Sequence, residues 1–148
     1  MTLREALNEA TQWLASVSDT PRLDAELLLA HALGLSREAL LLGTLDAPQP
    51  AAFDDLVARR AAHEPIGYIT GRRDFWTLSL AVAPGVLIPR PDSETLIEAA
   101  VDYFGSSTRG GHGPSCILDL GTGSGALLLA ALAEWPEAQG LGIAASDI

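Results

Sequence analysis

The run Asp119-Leu120-Gly121-Thr122-Gly123-Ser124-Gly125 constrains this chain more than any other stretch. Glycines at alternate positions let the backbone adopt positive φ and let a ligand come close. The run follows Cys116 to Leu120, a short apolar segment that reads as a buried strand with Cys116 as a small core residue. It precedes Ala126 to Trp135, which reads as a helix halted by Pro136. A helix that begins at such a turn points its free N–H groups at whatever sits there. Leu141 to Ala145 then reads as the next strand, so this end of the chain is expected to be βαβ in an α/β fold.

Asp147 extends the pattern, because 147 − 125 = 22 residues separate it from the last glycine. At that distance a βαβ unit brings a carboxylate to a ribose diol. Gly121, Gly123 and Ala126 also satisfy the G-x-G-x-x-G/A pattern of dinucleotide sites. Asp119 argues against a dinucleotide, since a carboxylate there would face an incoming pyrophosphate unfavourably. It suits a ligand with an ammonium group. S-adenosylmethionine has an ammonium, a sulfonium and a ribose diol, and no phosphate. Two plainer readings stand beside this one: the glycines as a structural turn, and Asp119 as an acceptor within it.

The first half reads as helices. Thr2 and Glu5 fit a capping box ahead of Leu3, Ala6, Leu7, Ala10 and Leu14. Thr20 and Pro21 read as the N-cap and first residue of a second helix, which stops near Gly34. Ser36 is placed to cap a third helix through Leu42, and Ala51 to Ala62 suits a fourth with Phe53, Leu56 and Val57 inward. From Glu64-Pro65 the texture becomes β-prone. Ile66, Tyr68, Ile69 and Thr70, then Phe75 to Val82, read as a hairpin of about 20 residues. Pro89-Arg90-Pro91 holds the backbone extended, after which Asp92 or Ser93 is placed to cap a helix to about Phe104. Residues 105–115 read as a glycine-rich loop. The expected domains are a helical bundle over 1–63, a hairpin linker over 64–91 and a nucleotide-binding domain over 92–148.

Charge narrows the function. The net charge is -10 and there is no lysine, so a direct grip on nucleic acid is not expected. A single cysteine excludes an internal disulfide and a multi-cysteine metal site. His31, His63 and His112 are far apart, and no metal is expected. The opening residues lack a signal-peptide pattern, and the longest apolar run, Ala126 to Ala133, is too short for a bilayer. A cytoplasmic, monomeric protein is the expectation, with no membrane partner.

Taken in order, Ile69-Thr70-Gly71, Phe75-Trp76, Leu87-Ile88-Pro89-Arg90-Pro91-Asp92-Ser93-Glu94 and the glycine run resemble the protein-(glutamine-N5) methyltransferases of peptide-chain release factors, the HemK or PrmC family. Arg22, Asp24, Ala25, Glu26 and Leu27 to Leu29 also look like that family. The glycine run is common to many methyltransferases, whereas the Ile-Pro-Arg-Pro-Asp-Ser-Glu run is much more specific. The resemblance implies a helical bundle that recognises the release factor, a hairpin linker and a Rossmann-like class I methyltransferase domain. It implies that Gly121, Thr122, Gly123, Ser124, Gly125 and Asp119 line S-adenosylmethionine, with Asp147 on its ribose. Leu87, Pro89, Arg90 and Pro91 are the implied substrate-side residues, closing over a glutamine in a Gly-Gly-Gln loop.

One departure matters. The family holds the acceptor amide with an Asn-Pro-Pro-Tyr motif after a later strand, and the only asparagine here is Asn8. No catalytic residue is therefore assigned. The 148 residues are expected to be the front part of an enzyme, poor at binding cofactor and unable to turn over alone. Two alternatives remain: a helical protein-binding module with a vestigial nucleotide loop, and a piece of a nicotinamide-dependent oxidoreductase. Trp76 and Phe75 are expected to pin the hairpin, and Arg90 to serve either the site or an ion pair.

Overall fold

In the computed structural model, which describes residues 1–105 and 113–144, helix α1 (Leu3–Leu14) starts at the expected capping box. Thr2 Oγ1 accepts from the Glu5 N–H at 3.3 Å, and Glu5 Oε2 accepts from the Thr2 N–H at 2.8 Å. The N–H groups of Leu3 and Arg4 donate to the carbonyls of Ala47 and Leu45 at 2.9 and 3.0 Å. All four amides that the helix itself leaves unpaired are thus satisfied.

Helix α2 (Pro21–Leu33) begins with proline and ends at Gly34, whose φ of 66° is the left-handed C-terminal stop. Thr20 occupies the N-cap position, yet its side chain makes no capping hydrogen bond. Ser36 does cap α3 (Arg37–Leu42), accepting from the Ala39 N–H at 3.1 Å. Helix α4 (Phe53–Ala61) is shorter than expected. Leu7, Leu14, Ala25, Leu28 and Leu29 are fully buried and pack with Phe53 and Val57, while Leu56 is half-buried against them. Two carboxylates go into this unit with their partners. Asp24 receives Arg60 at 2.8 Å, and Glu26 receives Arg22 and Arg37, each at 2.8 Å.

Residues 66–70 are not a strand but a short helix, α5 (Ile66–Thr70). The Pro65 carbonyl accepts from the N–H groups of Tyr68 and Ile69, and Ile66 and Ile69 pack into the α1–α4 core. Burial on that core overrides a weak β preference. The chain divides into two units here, Met1–Thr70 and Gly71–Ile148.

In the second unit the hairpin is only β1 (Arg72–Phe75) against β2 (Leu78–Ala81), with Phe75 opposite Leu78. Neither Asp92 nor Ser93 caps the next helix by its side chain. One 3₁₀ turn (Pro91–Ser93) leads into α6 (Glu94–Phe104) instead. Then β3 (Cys116–Leu120), α7 (Ala126–Glu134) and β4 (Gln139–Ile143) follow, with β3 and β4 parallel from Cys116↔Gln139 to Leu120↔Ile143. β4 starts two residues before the expected Leu141. Phe75, Leu80, Ile97, Ala126, Ala130, Ala131 and Trp135 form this unit's core.

Strand alternation turns Ile117 and Asp119 toward partial burial and Cys116, Leu118 and Leu120 outward. Cys116 is therefore exposed, not a core residue. Leu118 faces Leu141 in register, and Leu120 faces Ile143; all four are exposed. The result is a mixed α/β chain, helices first and short strands after. Among the described residues no helix is long and apolar enough to cross a membrane.

Candidate functional site

The turn after β3 is built from positive φ. Gly121, Gly123 and Gly125 have φ of 78°, 53° and 78°, a region that side chains rarely enter. The N–H groups of Gly121 and Thr122 both donate to the Ile143 carbonyl, at 2.7 and 3.2 Å, which ties the turn to the end of β4. The Gly125 N–H then donates to the Thr122 carbonyl at 2.7 Å, closing the turn on itself. Gly125 is the N-cap of α7 and has no side chain to offer, so no side-chain hydrogen bond caps that helix. A Cβ on Gly121 would meet nothing within 4 Å. The upper surface of the turn is open.

Asp119 lies beneath it. Its Oδ2 accepts from the Thr122 hydroxyl at 2.8 Å, the plainer role that the sequence left open. One oxygen thus holds the turn, and the residue remains half-exposed. Thr122 does a second thing. A Cβ at Gly142 would lie 2.8 Å from Thr122 Oγ1 and 3.1 Å from its Cβ, so the Gly-x-Gly of β4 lets the turn sit down on the strand. Gly140 works likewise: a Cβ there would approach Leu128 and Leu132 to 2.9 Å. Sequence reasoning passed over both, although Gly140-Leu141-Gly142 inside a strand is a signal of close approach.

Of the other expected cofactor residues, Thr122 is in the turn, Ser124 lies between the last two glycines, and Asp147 falls outside the described residues. His112 falls outside them too. Leu87 is 80% exposed. Pro89 is half-buried, and Pro91 opens the 3₁₀ turn. Arg90 donates to Asp92 Oδ2 at 2.9 Å, both side chains largely in solvent. Among the described residues no hydrogen bond joins Leu87 to Pro91 with the glycine turn. No group of three metal-ligating side chains occurs among them either.

The hairpin is pinned as expected, and by more than packing. Trp76, at φ 55°, donates its backbone N–H to Glu94 Oε1 at 3.0 Å and its indole N–H to Glu134 Oε1 at 2.8 Å. Glu94, read from sequence only as favouring its helix start, is a clamp between hairpin and α6. Trp135 donates its indole N–H to the Gly105 carbonyl at 2.9 Å and meets the Phe104 ring edge-on at 5.9 Å.

Residues 5–71 match the family model described as the PrmC N-terminal domain. The chain is 46% identical over 147 residues to the release factor glutamine methyltransferase of Vibrio cholerae serotype O1, covering 97% of this chain and 49% of that protein. The same-named protein of Burkholderia pseudomallei is 46% identical over 129 residues, covering 85% of this chain and 44% of its own length. That of Escherichia coli K12 is 41% identical over 140 residues, covering 93% and 47%. The chain thus resembles the amino-terminal part of these methyltransferases, and spans about half the length of the curated relatives it matches.

Proposed function

We propose that this chain is the amino-terminal portion of a release factor glutamine methyltransferase, an enzyme that methylates the side-chain amide of a glutamine with S-adenosylmethionine as donor. One conjunction carries the reading. A chain 46% identical to such an enzyme across nearly all its residues also holds three positive-φ glycines between a parallel strand and its helix.

The cofactor fits the residues present. Gly121 and Gly123 leave open surface where side chains would stand, and the uncapped N-terminus of α7 adjoins it. Asp119 would take the ammonium group on the oxygen that Thr122 does not use, and Asp147 would take the ribose. A pyrophosphate would find the Asp119 charge against it, which disfavours the nicotinamide reading. The bound donor supplies an electrophilic methyl on sulfur. An amide nitrogen is a poor nucleophile, so the protein's task is to grip and align it. The Asn-Pro-Pro-Tyr grip is not among these residues, where Asn8 is the sole asparagine. We therefore assign methyl transfer to the longer protein, with residues 1–70 meeting the release factor and Leu87, Pro89, Arg90 and Pro91 bordering the acceptor.

The exposed Leu118, Leu120, Leu141 and Ile143 support a larger Rossmann-like sheet, since further elements would cover that apolar face. The test is a ligand-observed NMR titration with S-adenosylmethionine and with reduced nicotinamide cofactor. Binding of the first alone, weaker than micromolar, is expected. Binding of the second alone overturns the reading. A methyl-transfer assay on a Gly-Gly-Gln peptide is expected to show no turnover by the 148 residues.

A further inference from the structure

The stretch from Leu87 to Pro91 has little of its own to hold it in place. Among the described residues the N–H groups of Leu87, Ile88 and Arg90 make no backbone hydrogen bond, and Pro89 has no N–H to give. From Leu87 to Arg90 only Ile88 and Pro89 are half-buried. Such a stretch takes its course from its two ends.

The near end is a turn at the open end of the hairpin. The Val82 N–H donates to the Gly71 carbonyl at 3.1 Å, and the Val86 N–H to the Ala83 carbonyl at 3.3 Å, with Gly85 at φ 98°. Pro84-Gly85 is the residue pair that a type II turn selects. The far end is fixed where the hairpin closes. After the 3₁₀ turn, Glu94 Oε1 accepts from the Trp76 N–H at 3.0 Å. From Gly71 to Trp76 is roughly 17 Å at strand rise, so residues 83–93 cross the length of the hairpin between two fixed points.

Trp76 holds an unusual backbone for this contact. It is the first of the two residues between Phe75 and Leu78, and glycine adopts its φ of 55° far more readily than tryptophan does. A glycine there would relieve the strain and lose the indole, whose N–H donates to Glu134 Oε1 at 2.8 Å. Backbone strain of this kind persists where the surroundings over-determine it, as at sites that position a ligand.

We propose that Glu94 is a positioning residue for methyl transfer, holding Leu87 to Pro91 on course through its hydrogen bond to the Trp76 N–H. The proposal rests on the reading of that stretch as the border of the acceptor amide. Glu94 acts through its neighbours, not on the reacting atoms. It fixes the start of α6 and, through one 3₁₀ turn, the proline-arginine segment before it. Its charge also lies at a helix N-terminus, a stabilising place for any carboxylate. That plainer role does not need Trp76. Glutamine separates the two, because it keeps an oxygen acceptor and loses the charge.

Two measurements decide it. In the 148-residue chain, ¹⁵N relaxation reads the backbone order of Leu87 and Ile88. Glu94→Ala is expected to bring their order parameters from about 0.8 to below about 0.6, with Glu94→Gln staying near the parent. Trp76→Phe loses the Glu134 bond and keeps the backbone N–H, so it is expected to lower stability and leave that order unchanged. Should Glu94→Ala lose its fold, Glu94→Ser, too short to reach Trp76 and suited to a helix start, takes its place. In the longer enzyme, Glu94→Ala is expected to raise the KM for a Gly-Gly-Gln peptide roughly tenfold, with the KM for S-adenosylmethionine unchanged and Glu94→Gln recovering most of the loss. Unchanged order in Glu94→Ala, equal loosening by glutamine and alanine, or loosening by Trp76→Phe overturns the tether. A loosened stretch with both KM values unmoved overturns the positioning role. Absence of methyl transfer by the unsubstituted longer protein sinks the reading on which that role rests, while the relaxation data still decide the tether.

Discussion

The Thr122 hydroxyl donates to Asp119 Oδ2 at 2.8 Å across the glycine turn, so the carboxylate that holds the turn is also the one proposed to meet the cofactor. An asparagine at 119 keeps an acceptor for Thr122 and loses the charge. Asp119→Asn is therefore expected to leave the melting temperature nearly unchanged while weakening S-adenosylmethionine binding by about tenfold. Thr122→Val is expected to do the reverse, costing about 1 kcal/mol of stability. Thermal unfolding alongside a cofactor titration separates the two.

Gly142 is fixed by the space beneath Thr122. Gly142→Ala is expected to cost about 1–3 kcal/mol, since its Cβ would press on a Thr122 Cβ that cannot rotate away. Adding Thr122→Ala removes Oγ1 and Cγ2 and is expected to restore part of the loss. Denaturant unfolding of the four-member cycle measures it, and strict additivity would deny the contact.

Two arginine–aspartate pairs of equal chemistry should behave differently. Asp24 is buried and Arg60 half-buried against it, and Arg60 also donates to the Val17 carbonyl at 3.3 Å. Asp24→Ala leaves that guanidinium without its carboxylate, at a cost of about 3 kcal/mol. Arg90 and Asp92 sit in solvent, and Arg90→Ala is expected to change stability by less than about 0.5 kcal/mol. If Arg90 borders the acceptor, as proposed, the longer enzyme loses activity without losing stability.

Acid should loosen the first unit through Glu26. Burial pushes its carboxyl up, but the hydrogen bonds and charges of Arg22 and Arg37 outweigh that and hold it below its ordinary value of 4.5. A group whose folded value is depressed stabilises the fold above the unfolded value and stops doing so as pH falls through the folded one. Stability is therefore expected to fall as pH drops below about 4.5, and Glu26→Gln is expected to flatten that slope. Urea midpoints between neutral pH and acid give the comparison.

What the sequence disclosed was local chemistry. The Thr2–Glu5 box, Ser36 and the stops at Gly34 and Pro136 each act within a few residues, and each is where the pattern put it. The glycine turn was legible for the same reason. What depends on a distant partner was not. Ile66 to Thr70 looks like strand until the α1–α4 core claims Ile66 and Ile69 for a helix. Cys116 looks buried until only one face of β3 is covered. Gln139 and Gly140 look like loop until β3 pairs with them.

The parallel pairing of β3 with β4 also sets a timetable. Cys116 meets Gln139, so 139 − 116 = 23 residues must be synthesised before β3 finds this neighbour. At ribosomal rates that is on the order of one to five seconds, whereas the helical unit, closed within Met1–Thr70, has long since emerged. For that interval the leucines of β3 travel without a strand beside them, and the nascent chain presents a finished head followed by an unfinished, adhesive tail.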